Sequence, residues 1–381
     1  MKSIINNIIL LSSLIFSAQA ISSINITNPS TDTVHLKKDC AGINNCATTL
    51  SELIPWIWNT RQPNSSNPLL VKISTGTFLT LAGSIINSGS FCKNAGFVTF
   101  MGSGKENTIL KNPGASDLNG ISITNCQKLS FQDLTFDFKN TIYGIFWNGG
   151  GNSNFNNIQL IGGGPAWYDE GCPSSEQPTH YFIGSQISAK SNLYGVTTAY
   201  FTRCADTWFI GSEIVAESNG IPVSTIFADG ISSMKPEVHI YGSSLRAISA
   251  AGVNTSELLA VHSKNASVHI HGTGIDVISF EGNNITALRA EEGGSIHANQ
   301  SGFVMKTGNG GTKSRLSEIG SGKIIAPYVW GDISVAAGVT SIHGADISVS
   351  TDNADQQPHL LIYSANCSSS WFDSTLNQCR N

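Results

Sequence analysis

The sequence predicts an all-β solenoid in which stacked parallel coils share one core, with a short capping helix near the N-terminus. Two observations predict this fold class. One phrase, a short strand followed by Gly and then by Ser or Thr, recurs four times between His180 and Ser279. The 381 residues include 38 glycines and only 12% charged side chains, which is typical of a large β protein and not of a disordered or long-helix chain.

The repeated phrase sets the period of the solenoid. Its bend glycines are Gly184, Gly211, Gly242 and Gly272, so successive copies are 27, 31 and 30 residues apart. Self-similarity at this period indicates stacked coils, which bury apolar side chains that one short strand could not bury alone. Glycine at the bend permits a positive φ, and the following Ser or Thr can hydrogen-bond the turn. We expect fainter copies with bends at Ala298, Gly320 and Gly344.

The N-terminus has the pattern of a secretory signal over residues 1–20. Lys2 supplies the positive charge, an apolar run follows, and Ala18-Gln19-Ala20 forms a small-x-small cleavage site. The pattern predicts a secreted protein, extracellular or periplasmic, and no later run is long and apolar enough to span a bilayer.

The net charge of -5 gives no reason to expect nucleic acid or an anionic membrane as a partner. We expect a monomer.

Eight cysteines follow the signal, and an even count in a secreted chain favours disulfides over metal binding. Two local clips, Cys40 with Cys46 and Cys367 with Cys379, are one arrangement. Cys92 with Cys126 and Cys172 with Cys204 would then join neighbouring coils. Spacing alone leaves the pairing open, and no spacing resembles a zinc site, so no metal or other cofactor is expected.

The chain divides into three parts after the signal. Residues 21–68 form a leader and N-terminal cap, residues 69–350 the coils, and residues 351–381 a C-terminal cap or tail with a disulfide. Within the cap, Leu50, Leu53, Ile54 and Ile57 have helical spacing, while Pro55 favours a short or broken helix. Such a helix would cover the open end of the solenoid core.

The first coils carry a resemblance to a known family. The run from Phe97 to Leu110, preceded by Val71 to Phe78 and followed by Leu129 to Phe136, resembles the opening coils of the pectin-lyase-like superfamily. That superfamily includes pectate lyases, polygalacturonases and pectin methylesterases. The resemblance implies a right-handed single-stranded parallel β-helix from about residue 70 to 350, and polysaccharide as the partner. It does not extend to the polygalacturonase catalytic motifs, none of which occurs here, and fold alone does not fix function.

Two carboxylates are the catalytic candidates. The segment Ala205-Asp206-Thr207-Trp208-Phe209-Ile210-Gly211 is the nearest match to a pectin methylesterase motif, and a second acid, Asp229, follows 23 residues later. This separation is close to one coil, so the two side chains could lie on adjacent rungs and act in ester hydrolysis. The glutamine and the Arg-Pro-Trp motif of those esterases are absent. The alternative is that both acids cap backbone amides in turns.

Strand alternation predicts which side chains of the repeat face outward. Position minus two from each bend is apolar and should point inward, as at Phe182 and Phe209. Positions minus three and minus one then point outward, in columns with a coil spacing of about 4.8 Å. The substrate-binding candidates on these columns are Tyr181, Trp208, His239, Tyr241, His269 and His271, with His297 assigned to position minus one.

Rings in such columns could bind a sugar chain by stacking and hydrogen bonding. Alternatively, like residues stack only for stability, or the loop from Ala166 to Gln177 covers them. A metal site on His239, His269, His271 and His297 is a minor alternative, since imidazoles suit zinc or copper.

The sequence thus predicts a secreted β-helix protein that acts on or binds a pectin-like polysaccharide, as a carbohydrate esterase or lyase. The alternative is a non-catalytic adhesin or cell-surface binding solenoid.

Overall fold

The structure, a computed structural model, describes most of the chain from residue 24 onward. The described ranges are 24–80, 96–112, 119–124, 128–149, 151–171, 177–191, 197–218, 223–231, 233–250, 257–281, 285–306, 314–326, 330–335, 341–343, 347–351, 361–363, 371–373 and 378–380. The expected signal over residues 1–20 lies outside these ranges, as do Cys92, Cys126, Cys172 and Cys367.

The described strands form a parallel β-solenoid, which confirms the predicted fold class. Each complete coil contributes one strand to each of three walls, and every wall stacks in parallel from coil to coil. The first wall is a separate sheet, whereas the second and third walls belong together to a 19-stranded sheet. Because each strand pairs with its equivalents in the coils before and after it, one core runs along the solenoid axis.

The strands of the first wall are Thr33–Leu36, Leu69–Ile73, Val98–Met101, Lys128–Gln132, Asn152–Asn156, Thr179–Ile183, Asp206–Ile210, Glu237–Tyr241, Ser267–His271, Ser295–Asn299, Lys323–Ala326, Ser341–His343 and Leu361–Tyr363, with Cys46–Ala47 and Ile24–Asn25 at its N-terminal edge. The strands of the second wall are Gly76–Leu79, Thr108–Lys111, Thr135–Phe138, Gln159–Gly162, Gln186–Ser191, Glu213–Ser218, Ser244–Ser249, Gly274–Ser279, Gly302–Lys306, Trp330–Val335 and Ile347–Thr351. The strands of the third wall are Asn119–Thr124, Tyr143–Asn148, Trp167–Gly171, Thr197–Thr202, Val223–Asp229, Leu258–Lys264, Ile285–Glu291 and Ser314–Ile319. Trp371–Asp373 and Gln378–Arg380 form an antiparallel pair.

The repeated glycines form the bend between the first and second walls. Gly184, Gly211, Gly242 and Gly272 have φ between 55° and 58°. A Cβ placed on Gly211 would meet no atom within 4 Å, so glycine is favoured there by its backbone conformation and not by space. Asp133, Asn157 and Gln300 hold the same bend position in other coils, with φ of 53°, 50° and 49°. The bend therefore continues through coils that lack the glycine.

The predicted copy at Ala298 is displaced by two residues. The strand register pairs Ala298 with Ile270 and His297 with His269, so Gln300 occupies the bend and His297 lies at position minus three. A slip of two residues keeps the alternation of inward and outward side chains, which explains why the sequence pattern did not exclude it. Gly320 follows a third-wall strand and marks a different corner from the first four glycines. Gly344 lies outside the described residues.

The Ser residues after the bends link the coils. The amide of Ser185 donates to Ser212 Oγ at 3.2 Å, and the amide of Ser212 donates to Ser243 Oγ at 3.1 Å. Ser212 Oγ in turn donates to the carbonyl of Phe182 in the preceding coil at 3.0 Å. All three side chains are buried, so this row satisfies polar groups inside the corner as well as in the local turn.

Inward side chains form a column of stacked rings in the core. Phe100, Phe131, Phe155, Phe182 and Phe209 follow one another with ring centroids 4.8–5.3 Å apart. Both Phe182 and Phe209 are fully buried, as the alternation predicts.

A short helix covers the N-terminal end of the core. Helix α1 spans Leu50–Trp56 and continues into a π-helical turn at Ile57–Arg61. Its apolar residues Leu50, Leu53 and Ile54 are buried, while Pro55 lies on the exposed side and does not end the helix.

The parallel coils begin before residue 69, where the sequence placed their start, because Thr33–Leu36 already pairs in parallel with the strand Leu69–Ile73. No helix in the described part of the chain is long and apolar enough to cross a membrane.

One predicted disulfide lies wholly within the described residues and is present. Cys40 and Cys46 are bonded, which fixes the chain next to the first parallel strands. Cys204 is also disulfide-bonded, and its predicted partner Cys172 lies outside the described residues.

Candidate functional site

The outer face of the first wall carries three columns of side chains. The middle column is made of rings on five consecutive coils, and we call it the ring column. Its members are Tyr181, Trp208, His239, His269 and His297. The column on one side holds Thr179, Asp206, Glu237, Ser267 and Ser295, and the column on the other side holds Ile183, Ile210, Tyr241, His271 and Asn299. All six predicted substrate-binding residues therefore lie together on one face.

The rings of the ring column stack on one another. Successive centroids from Tyr181 to His297 are 6.2, 4.0, 4.9 and 5.2 Å apart, with interplanar angles of 20°, 15°, 11° and 19°. Neighbouring rings thus cover each other's faces, and all five side chains are half-buried. The prediction that a sugar would stack on these ring faces needs revision, because the in-register neighbours already occupy them. What remains for a ligand is the row of ring edges. On His239, Nδ1 is buried and Nε2 lies 3.4 Å from a carboxylate oxygen of Glu237.

Exposed apolar side chains flank the N-terminal half of the ring column. Ile183 and Ile210 are 42% and 40% exposed, which is high for large aliphatic residues on a regular strand. Further along the same column, Tyr241 lies 5.9 Å from the Trp208 ring and 6.2 Å from the His271 ring. The face therefore changes from apolar at Ile183 to imidazole-rich at His271.

A shallow groove follows the corner next to this apolar column. It has a volume of about 380 Å³ and is lined by Gly184, Gly211 and Gly242 with the serines that follow them. Gln186, Glu213 and Lys105 also line it. The missing side chains of the bend glycines leave this corner open.

The two predicted catalytic acids have different surroundings. Asp206 Oδ1 accepts hydrogen bonds from Gln177 Nε2 at 2.8 Å and from the amide of Glu237 at 2.9 Å, so it caps the first-wall strand of the next coil. Burial raises the pKa of Asp206, and the amide of Glu237 acts in the opposite direction. Asp229 lies on the third wall, 3.7 Å from Arg203 Nε. Within the described residues no hydrogen bond or ion pair joins the two carboxylates.

The imidazoles of the ring column are biased toward the neutral form. Burial lowers the pKa of His239, and Glu237 opposes this effect with its carboxylate 3.4 Å from His239 Nε2. Burial also lowers the pKa of His269 and of His297, and in each case the preceding histidine lowers it further. The ring column therefore carries hydrogen-bond donors and acceptors at neutral pH and little charge.

The imidazoles of the ring column are stacked and not arranged around a common point. No group of three or more His, Cys, Asp or Glu side chains that could hold an ion occurs in the part of the chain that the structure describes. Rings stacked face to face direct their nitrogens along parallel lines, whereas metal ligands must converge on one point.

A pair of polar residues that the repeat pattern did not single out lies inside the solenoid. His180 is fully buried, and its Nδ1 lies 2.7 Å from Ser153 Oγ. Burial lowers the pKa of His180 to about 3. The rings of Trp147 and Trp167 pack edge-on against it at 4.8 and 4.9 Å. The alternation that turns Tyr181 outward also turns His180 inward, so the sequence did contain the signal.

A buried carboxyl lies in the same part of the core. Asp169 accepts hydrogen bonds from Thr202 Oγ1 at 2.9 Å and from the amide of Ala205 at 3.2 Å. Burial raises the pKa of Asp169 to about 7. Asp169 and His180 are both fully buried. Asp169 lies at the corner near Cys204, and His180 lies against the two tryptophan rings in the core.

Comparisons with known proteins add little to this geometry. No family model matches the sequence, and no curated protein matches it. A search of solved structures finds the A-module of a mannuronan C-5 epimerase from Azotobacter vinelandii, with a TM-score of 0.34 and 11% identity over 82% of this chain and 94% of that chain. The fold assignment rests on the strand pairing of the protein itself. This chain is a parallel β-solenoid. Its resemblance to the pectin-lyase-like superfamily stays a prediction.

Proposed function

We propose that the protein is a secreted β-solenoid that binds a pectin-like polysaccharide along the outer face of the first wall. The observation that carries the proposal is the unbroken ring column from Tyr181 to His297, bordered by the exposed Ile183 and Ile210. Ring edges on consecutive coils supply polar groups at a step of about 4.8 Å. An extended polymer with hydroxyl groups at regular intervals fits such a row better than a compact ligand does.

Polar and apolar contacts have separate roles on this face. Imidazole nitrogens of His269 and His297, and Nε2 of His239, can exchange hydrogen bonds with sugar hydroxyls, which gives orientation and specificity. Ile183 and Ile210 offer apolar surface to the C–H faces of a sugar ring. Tyr241 and His271 extend the polar contacts along the next column.

The test is binding of the full chain to a panel of plant and microbial polysaccharides, with Trp208→Ala as the main variant. Removing the indole opens the ring column between Tyr181 and His239, so we expect Kd to rise about tenfold or more, which corresponds to about 1.4 kcal/mol. Phe280→Ala is the matched control, because Phe280 is 57% exposed but lies beyond a second-wall strand. Circular dichroism shows whether each variant is folded. A folded Trp208→Ala protein that binds every polysaccharide as the parent does would remove the proposed site.

Ester hydrolysis by Asp206 and Asp229 is the second candidate function. The observation in its favour is the raised pKa of Asp206, since a carboxyl that holds its proton longer suits a general acid. Asp206→Asn keeps an oxygen that can cap the amide of Glu237, so it tests the chemistry and not the fold. On methyl-esterified pectin, an esterase would lose turnover in this variant and keep binding. A non-catalytic adhesin or cell-surface solenoid would show no turnover in either form.

A further inference from the structure

We infer that His239, His269 and His297 make ligand binding on the first wall proton-linked, so that the face binds polyanionic polymers more tightly as the pH falls. The inference rests on the proposed polysaccharide binding and adds its regulation. It concerns the C-terminal half of the ring column, where three consecutive coils each place an imidazole in the same register.

The spacing of the three imidazoles couples their protonation. Their centroids are 4.9 Å and 5.2 Å apart, with interplanar angles of 11° and 19°. Neutral rings are compatible with this stacking, but two imidazolium ions at such a distance repel each other strongly when partly shielded from water. Each proton taken up therefore makes the next one harder to bind.

Few other charges act on the ring column. Glu237 lies 3.4 Å from His239 Nε2, on the same strand. The coils that follow place Ser267, Ser295 and then Lys323 in the column of Glu237. On the other side, the neighbouring outward residues of these three strands are Tyr241, His271 and Asn299.

Two further acids near the corner with the third wall already have partners. Glu291 lies 3.0 Å from His262 Nε2, and Glu292 lies 3.2 Å from Lys264 Nζ. In the described strands from Ser267 to Ala326 on the first wall there is no acidic residue. Charge that builds up on His269 is therefore opposed only in part, by Glu237 of the preceding coil, and His297 has no acidic residue on the neighbouring described strands of the first wall.

A polyanion would supply the missing negative charge. A carboxylate polymer lying along the ring column would reduce the repulsion between neighbouring imidazolium ions, so binding would draw protons onto the rings. By linkage, added protons must then strengthen binding of the same polymer. Burial lowers the pKa of all three imidazoles. The ring column should therefore be uncharged at pH 7 and become protonated only in mildly acidic solution.

The experiment compares polygalacturonate with an uncharged galactan between pH 7.5 and pH 5.0. We expect affinity for polygalacturonate to rise about tenfold over this range, which corresponds to an average uptake of roughly 0.4 proton on binding, while affinity for galactan changes less than about twofold. Calorimetry in two buffers with different ionisation enthalpies counts the protons taken up on binding.

Two variants separate the ring column from general charge effects. His269→Gln removes the central proton site and keeps a polar side chain, so the rise in affinity should fall to less than about threefold. His297→Gln, at the end of the column, serves as a second variant with the same expectation. His35→Gln is the matched control, because His35 lies on the first wall at Thr33–Leu36, outside the ring column, and should keep the parent profile.

The outcomes distinguish this inference from the proposed function. Binding of polygalacturonate with no pH dependence or no proton uptake overturns the proton linkage and leaves polysaccharide binding intact. An unchanged profile in folded His269→Gln and His297→Gln proteins also overturns it. Failure to bind any polymer at any pH overturns both proposals.

Discussion

Adjacent residues of one strand can have opposite roles in this solenoid. Trp208 is half-exposed in the ring column, whereas Phe209 is fully buried in the core, where it stacks on Phe182 and meets the edge of Tyr200 from the third wall. Alternation in the sequence predicts both positions, because the apolar residue at position minus two fixes the register. It does not predict that the outward rings cover one another, since that depends on the distance between coils.

The first prediction at this scale compares the two neighbours. Phe209→Ala removes a buried ring from a continuous stack, so we expect the free energy of unfolding to fall by about 3–5 kcal/mol. Trp208→Ala removes a half-exposed ring and should cost clearly less. Urea denaturation of both variants measures the difference. If Trp208→Ala unfolds the protein and Phe209→Ala does not, the assignment of inward and outward faces is reversed.

The buried Asp169 should make the stability of the protein depend on pH. Its pKa of about 7 lies above the ordinary value of 3.8, so the folded state holds a proton that the unfolded state releases. The stability that Asp169 contributes is thus fully present below pH 3.8 and is lost as the pH rises through about 7. Asp169→Asn should remove this loss, which is on the order of a few kcal/mol.

The measurement for Asp169→Asn is the free energy of unfolding between pH 4 and pH 7.5, relative to its own value at pH 4. Asp276→Asn, on the surface beside Arg246, serves as the control and should keep the parent slope. An Asp169→Asn protein with the same slope as the parent would mean that the carboxyl is ionised in the folded state throughout this range.

The bend is defined by backbone conformation and not by one residue type. The repeated phrase predicts the bends at glycine but not those at Asp133 and Asn157, because those residues adopt the same positive φ without matching the phrase. The same reason explains the displaced copy at Ala298. The second and third walls carry no comparable phrase, so their strands were not recognised as repeats.

The positive φ at the bend predicts how substitutions of Gly211 change the stability of the protein. Gly211→Ala places a Cβ on a residue with φ of 57° and should cost about 1–2 kcal/mol. Gly211→Asn should cost less, since Asn157 holds the equivalent position in an earlier coil. Gly274→Ala lies at the same corner without a positive φ or a close neighbour, and should be neutral or slightly stabilising. Thermal unfolding of the three variants tests this order, and equal costs for Ala and Asn at residue 211 would contradict it.

The core of the solenoid could be predicted from the sequence further than its function could. Inward residues such as Phe182 and Ile240 repeat with the period of the coils, and their burial follows from apolar character alone. Asp206 and Asp229 also lie at a coil-like spacing, but they belong to different walls and have different partners. The number of residues between two positions predicts whether they lie in neighbouring coils, but it does not predict which wall each one occupies.

The molecular-scale prediction is a far-ultraviolet circular dichroism spectrum dominated by β-structure. In the described residues, helix is confined to Leu50–Trp56 and the turn that follows it. We expect helix to account for less than about a fifth of the signal, well below the roughly one-third share of ordinary globular proteins. A larger helical share would contradict a parallel β-solenoid.

Because the bends stay in register from coil to coil, a whole coil can be gained or lost in evolution. Because a coil contacts only the coils before and after it, unequal recombination that duplicated residues 239–268 would insert one more rung and lengthen the molecule by about 4.8 Å. The new rung would bring another imidazole into the row between His239 and His269. The length of the first wall that is available to a polymer can therefore change by whole coils during evolution, without a change of fold.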